Sequence, residues 1–134
     1  MRLDQSQPEA LRQKPLLRAY LNAEMRDQIV AGDLAVCQSW ATTAQQAIDA
    51  APHLAFTYPS EGFALYADCA VILRESPRQD LAHRFLSFLL RPAVAAHLVN
   101  TFRMATANAS AQRLLPPALR SLQTLFPNPD TLAR

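Results

Sequence analysis

Residues 61–73 read Glu-Gly-Phe-Ala-Leu-Tyr-Ala-Asp-Cys-Ala-Val-Ile-Leu, an almost unbroken apolar run with one carboxylate near its middle. Gly62 opens the run, β-branched and aromatic residues fill it, and Ser76-Pro77 closes it, so the pattern predicts one long, mostly buried strand. Asp68 is the anomaly. A desolvated carboxylate costs several kcal/mol or so unless a partner is supplied. Side chains alternate along a strand, which puts Tyr66 and Asp68 on one face, roughly 7 Å apart. An aromatic ring beside a carboxylate is a candidate cation site.

A chain of 134 residues, half of them hydrophobic, suffices for one domain with its own core, and we expect residues 1–134 to form a single compact unit. Twelve of the thirteen basic residues are Arg and none are clustered, so the formal charge of +2 makes no footprint for nucleic acid. No apolar segment approaches the roughly 20 residues that span a bilayer, and residues 1–8 lack the apolar core of a signal peptide. From this the chain as written is expected to carry no export address. Cys37 and Cys69 have neither redox-motif spacing nor His partners, which predicts two reduced, buried thiols.

Helical and extended patterns alternate along the chain. Pro15 at a first turn, Leu17, Leu21, Met25 and Ile29 at four-residue spacing and Gly32 as terminator predict a helix from Pro15 to about Ala31. Residues 34–40 then read as a short buried strand that delivers Trp40 at its C-terminal end. Thr43 and Gln46 have capping-box spacing at the head of a helix that Pro52 stops. Residues 54–59 form a second extended piece, with Pro59 confining it to an edge. Beyond the long strand, Ser76, Pro77 and Gln79 start a helix whose buried stripe is Leu81, Phe85, Phe88 and Leu89, and Pro92 starts another with Val94, Ala95, Leu98 and Phe102 on one face. A short helix from Asn108 ends at Pro116-Pro117, Leu119, Leu122 and Phe126 pack a last turn or two, and residues 127–130 make a turn.

Chemistry-bearing motifs are few. The chain has no GxSxG, Walker loop or HExxH, and with only Gly32 and Gly62 it cannot build a glycine-rich phosphate cradle. His83 and His97 have no ligand three or four residues after them. These patterns predict no catalysis, no cofactor and no metal.

An ordered series of segments resembles the C-terminal part of the periplasmic spermidine/putrescine-binding proteins of ABC transporters. The series comprises residues 32–40, Tyr58-Pro59-Ser60-Glu61-Gly62, the run through Asp68, Ala82 to Ala95 with its Phe-Leu-Leu-Arg-Pro-Ala-Val-Ala, then Ala105-Thr106-Ala107-Asn108 and Leu114-Leu115-Pro116. It covers roughly residues 24 to 132. The resemblance implies an incomplete α/β fold of the type II periplasmic-binding-protein kind, with helices packed around residues 63–73 as central strand. It also implies a periplasmic setting and a transporter permease as partner. Such proteins are two-lobed and much longer than this chain, and hold a polyamine between the lobes, with carboxylates at its amines and aromatic rings along its methylenes.

Carried over position by position, the resemblance makes Trp40 a ligand-stacking ring, Tyr66 an aromatic of the crossing strand and Asp68 its carboxylate. Thr43 stands where some members have an acid and Met104 where others have a tyrosine, so both are implied as weaker contacts. Two function classes follow. One is a solute-binding component, or fragment of one, for polyamines such as putrescine or spermidine, whose other half lies outside these residues and whose isolated form binds weakly or not at all. The other is a truncated remnant that binds nothing and acts as a self-associating interaction domain, a homodimer that covers its own apolar faces.

Overall fold

Prolines and glycines set most of the breaks between helices in the computed structural model, which describes residues 3–132. Where length suggested one unit, the chain divides into two, the first running to Cys37 and the second starting at Gln38.

In the first unit, α1 (Leu3–Gln13) runs into a 3-10 turn (Lys14–Leu16), and α2 covers only Glu24–Ala31. The single helix expected from Pro15 is thus replaced by a turn, an irregular linker and a shorter helix. Helices of this length depend on burying one face, and of the expected stripe Leu17, Leu21 and Ile29 are only partly covered. Met25 is the buried residue of α2. The expected terminator holds: Gly32 is left-handed at φ 83°, and its N–H reaches the Gln28 and Ile29 carbonyls.

The second unit contains α3 (Ala41–Ala50), α4 (Gln79–Leu89), α5 (Pro92–Phe102), α6 (Ala109–Leu114) and two single turns, α7 (Pro117–Arg120) and α8 (Pro129–Leu132). Its core is built on small side chains. Ala95, Ala96 and Val99 of α5 meet Ala111 of α6, and Leu115, Leu119, Leu122 and Phe126 close over them. Pro92 supplies the first turn of α5 without a missing bond, and the axis turns by 70° between α4 and α5. Asn108 caps α6 as its position suggested: its Oδ1 accepts from the Ala111 N–H at 3.1 Å, and its Nδ2 donates to the Leu90 carbonyl at 2.8 Å.

Other expected caps form differently. Thr43 and Gln46 make no capping box; α3 starts at Trp40 without a side-chain cap, and Gln46 Nε2 donates to the Phe102 carbonyl at 2.9 Å. Helix α4 starts at Gln79 rather than Pro77: Arg78, at φ −129° and ψ 44°, is not helical, and Gln79 Nε2 turns back to the Arg74 carbonyl at 2.6 Å. Residues 127–130 lead into α8, where Asn128 Oδ1 accepts from the Thr131 N–H at 2.8 Å.

The largest departure concerns strands. Among the described residues none forms: residues 34–40, 54–59 and 63–73 lack regular structure. Leu65, Val71 and Leu73 are exposed, as are Leu81, Phe85 and Phe88 on the apolar stripe of α4. A strand needs a neighbour to take its N–H and C=O groups, and no described segment offers one. Cys37 and Cys69 are free as expected but are not buried, Cys37 being partly covered and Cys69 exposed. Among the described residues no single helix is long and apolar enough to cross a membrane.

Candidate functional site

Trp40 is the residue on which α3 begins. Its backbone is extended (φ −66°, ψ 144°) while its carbonyl already accepts the Ala44 N–H at 2.9 Å, so the indole leaves the chain at the step from loop to helix. Twenty-six positions later, Tyr66 meets it edge to face, with ring centroids 5.0 Å apart and planes at 67°. Neither ring is buried: Trp40 is 53% and Tyr66 56% exposed.

Asp68 follows Tyr66 by two residues and is exposed. It makes no hydrogen bond or ion pair with the described residues, so the partner that a buried strand would have required is unnecessary. The indole and the phenol thus meet in solvent, and the carboxylate is exposed two residues further along the chain. Such a combination can take an ammonium group at the carboxylate and an alkyl stretch or a second cation at the rings, worth about 0.5 to 1 kcal/mol per ring at exposed sites.

The other two sequence-derived positions lie on α3 and after α5. Thr43 lies in the first turn of α3, partly buried. Met104 lines an apolar cavity of about 210 Å³ with Leu89, Leu98, Val99 and Asn108. No group of three His, Cys, Asp or Glu residues able to hold a metal occurs among the described residues, and His83 and His97 are exposed.

Two features escaped the sequence reading. Phe56, Tyr58 and Phe63 form a run of rings at 4.9 and 4.4 Å, and Tyr58 Oη donates to the Thr124 carbonyl at 2.8 Å, which fastens the start of residues 63–73 to the C-terminal turns. Burial pushes the Tyr58 phenol above its ordinary pKa. The second is a polar seam between α3 and the end of α5. Arg103 Nε donates to Asp49 Oδ2 at 2.6 Å, and Gln45 Nε2 donates to Asp49 Oδ1 at 2.9 Å. Burial raises the Asp49 carboxyl, but the bonds from Arg103 and Gln45 and the Arg103 charge outweigh it and hold the carboxyl below its usual value. The bonds that join distant segments, Arg103 to Asp49 and Tyr58 to Thr124, span 54 and 66 residues and leave no local pattern in the sequence.

The family of bacterial extracellular solute-binding proteins matches residues 20–125, a span that includes Trp40, Tyr66 and Asp68. The chain belongs to this family. Its members are solute-binding transport proteins, not enzymes. Among curated relatives, the chain is 28% identical over 130 residues to the putrescine-binding periplasmic protein of Escherichia coli, covering 92% of this chain and 35% of that protein. It is 31% identical over 136 residues to a putrescine/cadaverine-binding protein of Pseudomonas aeruginosa (97% and 38%), and 26% identical over 120 residues to the spermidine/putrescine-binding periplasmic protein of Salmonella typhimurium (90% and 34%). The chain therefore spans about a third of the length of these relatives. No solved structure matches it significantly.

Proposed function

We propose that this chain supplies one side of a polyamine site in the solute-binding component of a periplasmic ABC transporter. Asp68 takes an ammonium group of a putrescine- or spermidine-like cation, and Trp40 and Tyr66 cover its methylenes, with Thr43 and Met104 as weaker contacts. The observation that supports this most is the exposed Trp40–Tyr66 ring pair with an exposed carboxylate two residues on. Relatives whose names specify putrescine, cadaverine or spermidine supply the ligand class. In the complete protein, on this reading, residues 63–73 pair as the central strand of a type II α/β lobe, residues 1–134 form one piece of the two-lobed body, and a permease is the partner.

A one-sided site binds a flexible dication weakly, because ordering the ligand offsets much of the gain. Trp40 is the only tryptophan, so its emission reports on the site directly. Titration with putrescine and spermidine is expected to change that emission at about millimolar concentration, weakened by Asp68→Asn and by Tyr66→Ala. An emission indifferent to both amines overturns the proposal.

The alternative, a self-associating domain that binds no amine, is favoured by the exposed apolar residues of 63–73 and of α4. Sedimentation equilibrium separates the two readings: a homodimer that ignores polyamines supports the second, and a monomer at micromolar and higher concentration removes it.

A further inference from the structure

Helix α3 is an unusual carrier for a binding residue, since little apolar surface holds it. Its buried side chains are Gln45 and Ala47, and Ala51 follows at its C-cap, but the core cluster built on α5 and α6 includes none of these. Alanine side chains bury too little area to fix a helix by themselves. What ties α3 down is polar and gathers at the end of α5. Gln46 Nε2 bonds the Phe102 carbonyl at 2.9 Å, Arg103 Nε bonds Asp49 Oδ2 at 2.6 Å, and Gln45, 3% exposed and the one buried polar residue among those described, braces the other Asp49 oxygen.

Arg103 carries the second indication. It is the one non-glycine with positive φ among the described residues, at φ 56°, a conformation that costs free energy for any residue with a Cβ. Gly would end α5 there more cheaply. The arginine instead uses this turn to place its Nε on Asp49 while its guanidinium also donates to the Asn100 carbonyl.

We infer that Arg103, Asp49 and Gln45 are positioning residues for the aromatic pair: they lock the C-terminal half of α3 to the end of α5, and the ten-residue helix carries that constraint to Trp40 and sets its ring against Tyr66. This rests on the polyamine reading for its purpose but not for its geometry. A helix of this length spans about 15 Å, so a small tilt at Asp49 displaces the indole enough to separate two rings in edge contact.

The test is the intensity of proton NOEs between the Trp40 and Tyr66 rings, measured on the 134-residue chain without amine. Asp49→Ala and Arg103→Lys, the latter keeping the charge but losing the Nε geometry, are each expected to lower these NOEs at least about twofold. Combining Asp49→Arg with Arg103→Asp, an exchange that puts a residue tolerant of positive φ at 103, is expected to restore them. Leu115→Ala serves as a destabilised control that leaves them unchanged. Should Asp49→Ala not fold, Arg103→Lys gives the reading alone. NOEs unchanged in the folded latch variants, or lowered equally by Leu115→Ala, overturn the inference. Because no amine is present, failure of ligand binding and failure of the latch are read separately.

Discussion

Val99 and Val71 belong to segments of similar apolar character, yet one is 1% exposed and the other 79%. Val99 lies where α5, α6 and the turns after them close on each other with small residues and leucines. Val71 lies in residues 63–73, which have the composition of a core strand and no strand to pair with among the described residues. The contrast separates two things that a hydrophobic pattern conflates. Spacing tells which face of a segment avoids water, but burial also requires a surface of matching shape. Helix α4 makes the same point on a helix, for of its predicted stripe Leu81, Phe85 and Phe88 are exposed while Leu89 alone is partly covered.

The largest effect expected from this contrast is a difference between two leucines. Leu115→Ala should cost about 2 to 5 kcal/mol in chemical denaturation, whereas Leu65→Ala should change stability by less than about 0.5 kcal/mol. Equal losses would mean that residues 63–73 are covered in solution.

The polar seam should show smaller effects. Arg103→Ala removes the bond to Asp49 while keeping the strained φ, and with both side chains partly exposed it should cost about 1 to 2 kcal/mol. Arg103→Gly loses the same bonds but relieves the left-handed backbone, so its loss should be smaller by about 1 kcal/mol. Two equal losses would show that the backbone at 103 is not strained.

Acid offers a second view of that seam. The Asp49 carboxyl is held below its ordinary value in the fold, so its contribution is present above the unfolded-state pKa, near about 4, and fades as pH falls through the lower folded-state value. Its side chain is 39% exposed, which limits that contribution to under about 1 kcal/mol. Stability measured from pH 6 down to about 3 should fall less steeply in Asp49→Asn than in the wild type. An unchanged acid profile would remove Asp49 from the seam.

Asp68→Asn should have the smallest effect on stability, within about 0.5 kcal/mol of zero, because the carboxylate is exposed and has no partner among the described residues. A loss of more than about 2 kcal/mol would make Asp68 a structural residue, as a satisfied buried carboxylate would be.

How far the sequence reveals this molecule follows the same division. Features written in a few neighbouring residues were legible: Gly32 ends α2, Pro92 starts α5, Asn108 caps α6, and the periodic segments of α3 to α6 are helical. Those that depend on distant partners were not. Residues 63–73 have the composition of a buried strand, but burial and a ladder are properties of two segments, and the apolar side chains Leu65, Val71 and Leu73 are exposed here. Gln46 looked like a capping residue because its remote acceptor, the Phe102 carbonyl, is invisible in the local spacing. Within the candidate site, resemblance named Trp40, Tyr66 and Asp68, while the edge-to-face contact and the Asp49–Arg103 pair join residues 26 and 54 positions apart and leave no local pattern.

The claim that these three residues form a cation site is tested most directly by mapping amide and indole shifts in two-dimensional NMR while putrescine is added to the isotope-labelled chain. The account predicts shifts that saturate at about millimolar putrescine, concentrated at the Trp40 indole and at residues 66–68, and strongly reduced in Asp68→Asn. Shifts spread over the surface without saturation, or centred on a region that excludes Trp40, Tyr66 and Asp68, would contradict it.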